Sequence, residues 1–216
     1  MKIIKPNIPK VLVDVENLMS YSISFREEDI DIEKINVKEN YCEKVDFYKI
    51  SMNGTVLENC KFINCDFEKS SFVDVIFIKC DFSNSNFQNS YFNKCEFISC
   101  KCLGIDMYNS SLKQVLISDS NFQYTNLNRA NFNGVKVSDS DLSNANISEC
   151  TQKNFEVVNA QFINTSFFKT MLKGIDFTNS QIGGVALSDS LIELKGVIIN
   201  EYQASDIVKL LGVVVR

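Results

Sequence analysis

The chain has 216 residues, 45% of them apolar and 23% charged, with a formal net charge of −5 and a pI near 4.9. That is enough chain for a real core in one or two domains, and the acidic balance argues against direct contact with nucleic acid or anionic lipid. Histidine is absent. This excludes a Ser-His-Asp triad, a Cys–His pair, a His-ligated zinc and a histidine pH switch, and the expectation is a non-enzymatic protein without cofactor or metal. No apolar run approaches the ~20 residues of a membrane span. The opening Met-Lys-Ile-Ile-Lys-Pro has no apolar h-region, so the cytoplasm is expected, with the eight Cys reduced.

Residues 1–29 form the first stretch. From Val11 to Asn40 eight acids (Asp14, Glu16, Glu27, Glu28, Asp29, Asp31, Glu33, Glu39) face three bases. The segment reads as an N-terminal cap over the first layer of the domain behind it, since an open sheet edge invites aggregation. A binding role for the acidic cluster is the alternative.

From residue 30 to 199 the chain repeats with a period of five. Every fifth position from Ile32 to Val197 is apolar or Cys, with the single exception of Gln152. These centres include Phe47, Phe62, Phe67, Phe72, Phe77, Phe82, Phe87, Phe92, Phe97, Phe122, Phe132, Phe162, Phe167 and Phe177, which are 14 of the 17 Phe in the chain. Two residues before each centre the residue is mostly small, as in Cys60, Ser70, Cys80, Ser90 and Ala130. The other positions are mostly Asn, Asp, Ser, Lys and Gln. A period of five fits neither a helix at 3.6 nor a plain strand at 2. Two inward residues flanking one outward residue describe a short strand, and the other two turn the chain, which suits Asn, Asp, Ser and Gly. Four such units wind a coil of 20 residues, and stacked coils bury a core that no single unit could bury alone.

Thr125-Asn126-Leu127-Asn128-Arg129, Ala130-Asn131-Phe132-Asn133-Gly134 and Ala145-Asn146-Ile147 carry the pattern Ala-Asp/Asn-Leu/Phe-x-x. In this the chain resembles the pentapeptide-repeat family. The resemblance implies an all-β fold, a right-handed quadrilateral β-helix, here with eight to nine coils and a length of ~40 Å at ~4.8 Å per coil. The Cys residues read as small apolar fillers. Cys60, Cys80 and Cys100 share one column, yet no CxxC pair exists and no His stands by to activate a thiol.

At Gln152 a polar residue takes a centre and Phe155 takes the next small position. The expectation is local compensation, with the amide bonding a turn carbonyl and a bulge or kink nearby. In the tail, residues 200–216, Asn200 and Gln203 form a candidate capping box. Ala204, Ile207, Val208 and Leu211 come next at helical spacing. Gly212 suits a helix stop, and Val213-Val214-Val215 reads as a terminal strand.

Tyr202-Gln203-Ala204-Ser205 followed by Leu211-Gly212-Val213 is similar to the C-terminus of the Qnr quinolone-resistance group and related chromosomal proteins of Gram-positive bacteria. The resemblance implies a homodimer through the C-terminal helix, with Ile207, Val208, Leu211, Val213 and Val215 as candidate interface. It also implies a DNA mimic that binds DNA gyrase or topoisomerase IV and protects them from fluoroquinolones. Qnr proteins carry two loops that matter for protection. Here the register runs unbroken from Ile32 to Val197, as in the loop-less mycobacterial fluoroquinolone-resistance protein, so topoisomerase binding is the better supported half of that implication. A duplex ~80 Å long carries ~47 charges, far more than a dimer of this chain, so mimicry must be local. Candidate topoisomerase contacts are Asp119 and Asp139, in one column with Asn159 and Asn179, and Glu156 with Asp176 in another. The alternative is a scaffold for an unrelated protein partner, with the outward Ile78 and Ile98 as its contact stripe.

Overall fold

Two inward-facing residues in every five cannot build a continuous core unless the backbone turns sharply at fixed intervals. The computed structural model, which describes residues 3–27 and 30–215, shows where it turns. Every fifth residue from Lys34 to Gly174 has a positive φ, between 49° and 80°. Each such corner lies two residues after a core centre. Many corners are Asn or Asp, which tolerate this conformation, but Lys, Glu, Tyr and Arg also occupy it, at a cost of ~1–2 kcal/mol each. The corner N–H groups are not left open: those of Asn59, Lys79 and Asp139 bond the carbonyls of Ile78, Ile98 and Val158 in the next coil at 2.9, 2.8 and 3.0 Å.

The result is an all-β parallel β-solenoid of about seven turns with a short C-terminal helix. In chain order the elements are β1 (Val13–Val15), α1 (Leu18–Glu27), β2 (Ile32–Glu33), β3 (Ile35–Lys38), β4 (Tyr41–Glu43), β5 (Ser51–Glu58), β6 (Lys61–Ile63), β7 (Ser71–Ile78), β8 (Tyr91–Ile98), β9 (Ser111–Ser118), β10 (Asn131–Ser138), β11 (Thr151–Val158), a 3-10 turn (Ile192–Leu194) and α2 (Glu201–Lys209). The long sheet runs β1-β3-β5-β7-β8-β9-β10-β11, with β2 on β5, and β4 pairs β6 beside it. All pairings are parallel and in 20-residue register along the repeat, as in Phe72↔Phe92 and Val75↔Cys95. Single bridges continue the same register on the other walls, for example Asp66↔Asn86 and Asp81↔Lys101.

Inside, the Phe rings interlock in two directions. Rings one coil apart lie face to face: Phe62–Phe82 at 5.3 Å and 10°, Phe67–Phe87 at 4.7 Å and 6°, Phe77–Phe97 at 4.7 Å and 23°. Neighbours within a coil meet edge to face, as Phe77–Phe82 at 89° and Phe82–Phe87 at 77°. Both arrangements suit the ring quadrupole. Phe62, Phe67, Phe72, Phe77, Phe82, Phe87, Phe92, Phe97, Phe122, Phe132, Phe162, Phe167 and Phe177 are all buried.

The small positions do more than fill space. Ser85, Ser90 and Thr165 each donate a hydroxyl to the carbonyl of a centre 23 residues back along the chain, Phe62, Phe67 and Leu142, at 2.7–2.8 Å. The thiols of Cys80, Cys95 and Cys100 make the equivalent contact to Leu57, Phe72 and Phe77 at 3.3–3.4 Å. All eight Cys are free and buried. Burial pushes the Cys42 and Cys150 thiols up to about 11 and that of Cys95 to about 12, so these stay uncharged at neutral pH.

The ends depart from the sequence-based expectations. The stack has about seven turns rather than eight to nine, because the 20-residue ladder gives way after Thr170: Asp176 pairs with Ile198, an offset of 22, beyond an irregular stretch. At the other end, Asn17 caps α1 by accepting from the Ser20 N–H at 3.0 Å, and Leu18 is fully buried. Periodicity marks no helix there. Val213–Val215 form no strand, since an extended tail needs a neighbour for its peptide groups and is here exposed.

Around Gln152 the strand shows no bulge: Phe132↔Gln152 and Val135↔Phe155 keep the register. The Gln152 amide donates to the carbonyls of Met171 and Lys173 at 3.1 and 3.4 Å, and Phe155 packs on Phe132 at 5.2 Å. The irregularity lies one coil further on. Among the described residues no bridge joins β11 to the next coil, and β11 ends the long sheet with exposed Lys153 and Asn154 on its edge.

Replacing Phe82 or Phe87 by Ala should cost ~3–5 kcal/mol. Because coils couple mainly to their neighbours, hydrogen exchange should rise first in the adjacent coils; a uniform rise along the rod would contradict the nearest-neighbour picture. Ser85→Ala should cost about 1–3 kcal/mol, the range for leaving buried groups unpaired, here the Phe62 carbonyl, measurable by chemical denaturation.

Candidate binding surfaces

One flank carries a groove of about 500 Å³ lined by Asp119, Ser120, Asn121, Asp139, Ser140, Asp141, Asn159, Ala160, Gln161, Asn179, Ser180 and Gln181. It holds three carboxylates and no base. Asp119, Asp139 and Asn159 are successive corners with φ of 51°, 50° and 49°, which turns their side chains outward one coil apart. The Asn159 amide donates to Asp139 Oδ1 at 2.7 Å. Asp141 is not singled out by the sequence. It accepts from the Ser143 N–H at 2.8 Å and from Gln123 Nε2 at 2.7 Å. The first of these bonds recurs along the chain: Asp66, Asp81, Asn86, Asp106 and Asn126 each accept the N–H two residues on. The Asp/Asn of the repeat is therefore a turn-closing residue. Asp119 and Asp139 are corner residues, and their carboxylates are the ones spared that task.

Glu156 and Asp176, expected to stack in another column, do not line this groove. Glu156 on β11 faces Lys136 at 2.6 Å, which holds its carboxyl below the usual range. Asp176 pairs with Ile198, and the Thr178 backbone N–H holds its carboxyl low. Among the described residues no backbone bridge joins β11 to the coil that carries Asp176, so no ladder links this pair.

The C-terminal end is a second surface. The capping box is present: Asn200 Oδ1 accepts from Gln203 N–H at 3.0 Å, and Gln203 Oε1 from Asn200 N–H at 2.9 Å. The Gln203 amide also donates to the carbonyls of Phe177 and Ser180 at 2.8 and 2.6 Å, tying α2 onto the last coil. Ile207 packs against the core and Val208 is half-buried. Leu211, Val213 and Val215 are exposed, together with Tyr202, Leu210 and Val214. Gly212, at φ 74°, turns the chain after the helix.

Beneath this end lies Glu193, which no sequence pattern marks. It is 0% exposed. Its Oε1 accepts from the N–H groups of Lys169 and Ser188 at 2.7 and 3.1 Å, and its Oε2 from the Ser188 hydroxyl at 2.9 Å. Burial raises its carboxyl, but these donors outweigh it and the net direction is down. A carboxylate set among backbone donors closes the irregular stretch where the ladder stops.

Elsewhere, Ile78 and Ile98 sit side by side, half-buried, on β7 and β8. No helix is long and apolar enough to cross a membrane among the described residues.

Two family descriptions match the repeat: "Pentapeptide repeat region" at residues 70–147 and "Pentapeptide repeats (8 copies)" at residues 41–77. The chain belongs to the pentapeptide-repeat family. No curated protein sequence matches this pentapeptide-repeat chain. Among solved structures it is similar to two trypsin-treated variants of QnrB1, described as a plasmid-mediated fluoroquinolone resistance protein. The first shares 21% identity with a TM-score of 0.54, covering 95% of this chain and 98% of that one. The second shares 21% identity with a TM-score of 0.53, covering 95% and 100%. At this identity the likeness is one of fold.

The lowered Glu193 carboxyl gives this pentapeptide-repeat protein a pH-dependent end. A folded-state pKa below the unfolded value adds stability above the unfolded carboxylate range, near ~4.3, and that stability is lost as pH falls through the folded value. Amide protection factors in residues 188–209, taken against intrinsic exchange at each pH, should therefore fall on acidification below about pH 4. The Glu193→Gln variant should exchange faster at neutral pH, with a weaker acid dependence.

Proposed function

We propose that the chain is a dimeric, DNA-shaped binding protein that engages DNA gyrase or topoisomerase IV and protects them from fluoroquinolones. The observation that carries this reading is the base-free groove of Asp119 and Asp139 on the flank of a rod. Its likeness to QnrB1, a fluoroquinolone resistance protein, agrees with it along nearly the whole of both chains. The net charge of −5 is small against one charge per ~1.7 Å of duplex, so mimicry of duplex charge is confined to where carboxylates gather. A cationic DNA-binding channel would meet Asp119 and Asp139, spaced one coil or ~4.8 Å apart, without any lysine or arginine lining the groove to repel it.

The dimer is inferred from the C-terminal end. Leu211 is 65% exposed and Tyr202 79%, beside exposed Leu210, Val213, Val214 and Val215. Exposed apolar side chains gathered in Leu210–Val215 fit an association surface. A second copy related by a two-fold axis would cover it and supply Val213–Val215 with the strand neighbour that the single chain lacks.

In a supercoiling assay with purified gyrase, with and without ciprofloxacin, the protein should alter supercoiling and reduce drug-stabilised cleavage at micromolar concentration. The Asp119→Asn/Asp139→Asn variant should lose most of that effect while keeping its melting temperature. An inert wild-type protein would point instead to a scaffold for another partner. Sedimentation of the wild type should give a dimer, and of Leu211→Asp/Val213→Asp a monomer.

A further inference from the structure

Residues 3–10, the start of the N-terminal segment, lie ahead of β1 and α1 and have no regular secondary structure. They run along the outside of the solenoid, over a column of corners one coil apart: Gly54, Asp74, Lys94, Gln114. The Asn7 N–H donates to Asp74 Oδ1 at 2.8 Å and the Ile4 N–H to Gln114 Oε1 at 2.9 Å. Pro9 rests on the corner at Gly54, where φ is 60° and an added Cβ would lie 3.1 Å from the Pro9 ring. The arm thus binds as an extended segment, its backbone donors read by side-chain acceptors at two-coil intervals.

Between those two anchors the arm spans the coil of β8, where no hydrogen bond holds it among the described residues. Glu96 belongs to the outward column Val56, Ile76, Glu96, Leu116, Lys136, Glu156. It alone in that column is buried, at 7% exposure. Its Oε1 has no hydrogen-bond partner, and neither has Oδ1 of Asn93 on the same coil. Leaving a buried carboxylate oxygen unpaired is costly. Lys94 faces Asp74 at 3.9 Å and Lys136 faces Glu156 at 2.6 Å, while Lys113, opposite Asn93 in the ladder, is exposed. Of the two residues between Asn7 and Ile4, Lys5 is exposed and Pro6 is half-buried, and Pro6 has no N–H to give.

We propose that the stripe Asp74, Asn93, Glu96 and Gln114 is a docking groove for an extended segment of a partner protein that carries arginine or lysine where the arm has Pro6, and that the arm is its resident placeholder. The segment's backbone N–H groups pair with Asp74 and Gln114 as the arm's do. Its basic side chain pairs with Glu96 and satisfies Asn93. Because the arm is tethered, it competes at an effective concentration of roughly millimolar, and it yields to a segment that fills all four acceptors. This surface is distinct from the Asp119–Asp139 groove and does not rest on the topoisomerase reading.

The test keeps the full chain. Ile4→Pro and Asn7→Pro together remove both anchoring donors and leave the groove intact. The probe is a fluorescein-labelled peptide of residues 1–11 with Pro6→Arg, read by anisotropy. It should bind the I4P/N7P protein about tenfold more tightly than the unsubstituted chain, and the peptide retaining Pro6 should bind at least about tenfold more weakly, given the placeholder's effective concentration and its unfilled acceptor. Adding Glu96→Gln should cancel the advantage of the arginine peptide, with the melting temperature confirming the fold. Equal binding of the two peptides, indifference to Glu96→Gln, or no gain in I4P/N7P would each overturn the proposal.

Discussion

The structure depends on contact between residues 20 apart. A single coil cannot bury its four centres, because each ring presents its faces to the coils above and below. The rings of Phe67 and Phe87 lie 4.7 Å apart and nearly parallel, the distance that backbone hydrogen bonding also sets between strands. Stacking and the parallel ladder therefore ask for the same spacing. A corner residue in the left-handed region keeps successive coils in phase. The cost of that conformation in Lys or Tyr is offset by the N–H that most corners donate to the next coil, as Lys79 to Ile98 and Tyr124 to Ser143. Every local choice supports the same stack, which is the mark of a well-specified fold.

The small position shows how a packing constraint becomes a hydrogen-bonding one. Ala fits the space, yet Ser, Thr and Cys are common there because their hydroxyl or thiol reaches a carbonyl 23 residues back along the chain. That explains a chain rich in free Cys without metal or disulfide chemistry. The raised thiols of Cys42, Cys95 and Cys150 are the electrostatic side of the same burial. Function is left to the outer walls, where side chains are not committed to the stack. Asp141 looks like Asp139 in the sequence, but its carboxylate closes a turn. Asp119 and Asp139 sit at corners and face the groove.

Irregularities cluster where the stack has to end. Gln152 replaces a ring with an amide that takes two carbonyls of the next coil, and the long sheet stops at β11. Beyond it, Glu193 and Gln203 hold the last turn and α2 with side-chain bonds to backbone groups in place of a ladder. At the other end Leu18 plugs the first coil and the arm returns along the outside. These are side-chain solutions to the problem that a solenoid has two open ends.

The repeat, the identity of the buried centres and the cap at Asn200 were legible in the sequence, because each rests on a period or on neighbours a few residues apart. Gln152 bonding a turn carbonyl was legible for the same reason: a polar residue in an apolar column has few ways to be satisfied. The turn count, the break after β11, the missing terminal strand, α1, Glu193 and the course of the arm were not. Each depends on which distant backbone groups remain unpaired once the coils have stacked. Sequence alone thus determined the solenoid and its core, since local spacing dictates which side chains point inward. Only the tertiary structure decided how the ends close and which outward carboxylates are spared turn-closing, since burial and hydrogen-bond partners there come from residues 20 to 110 positions away.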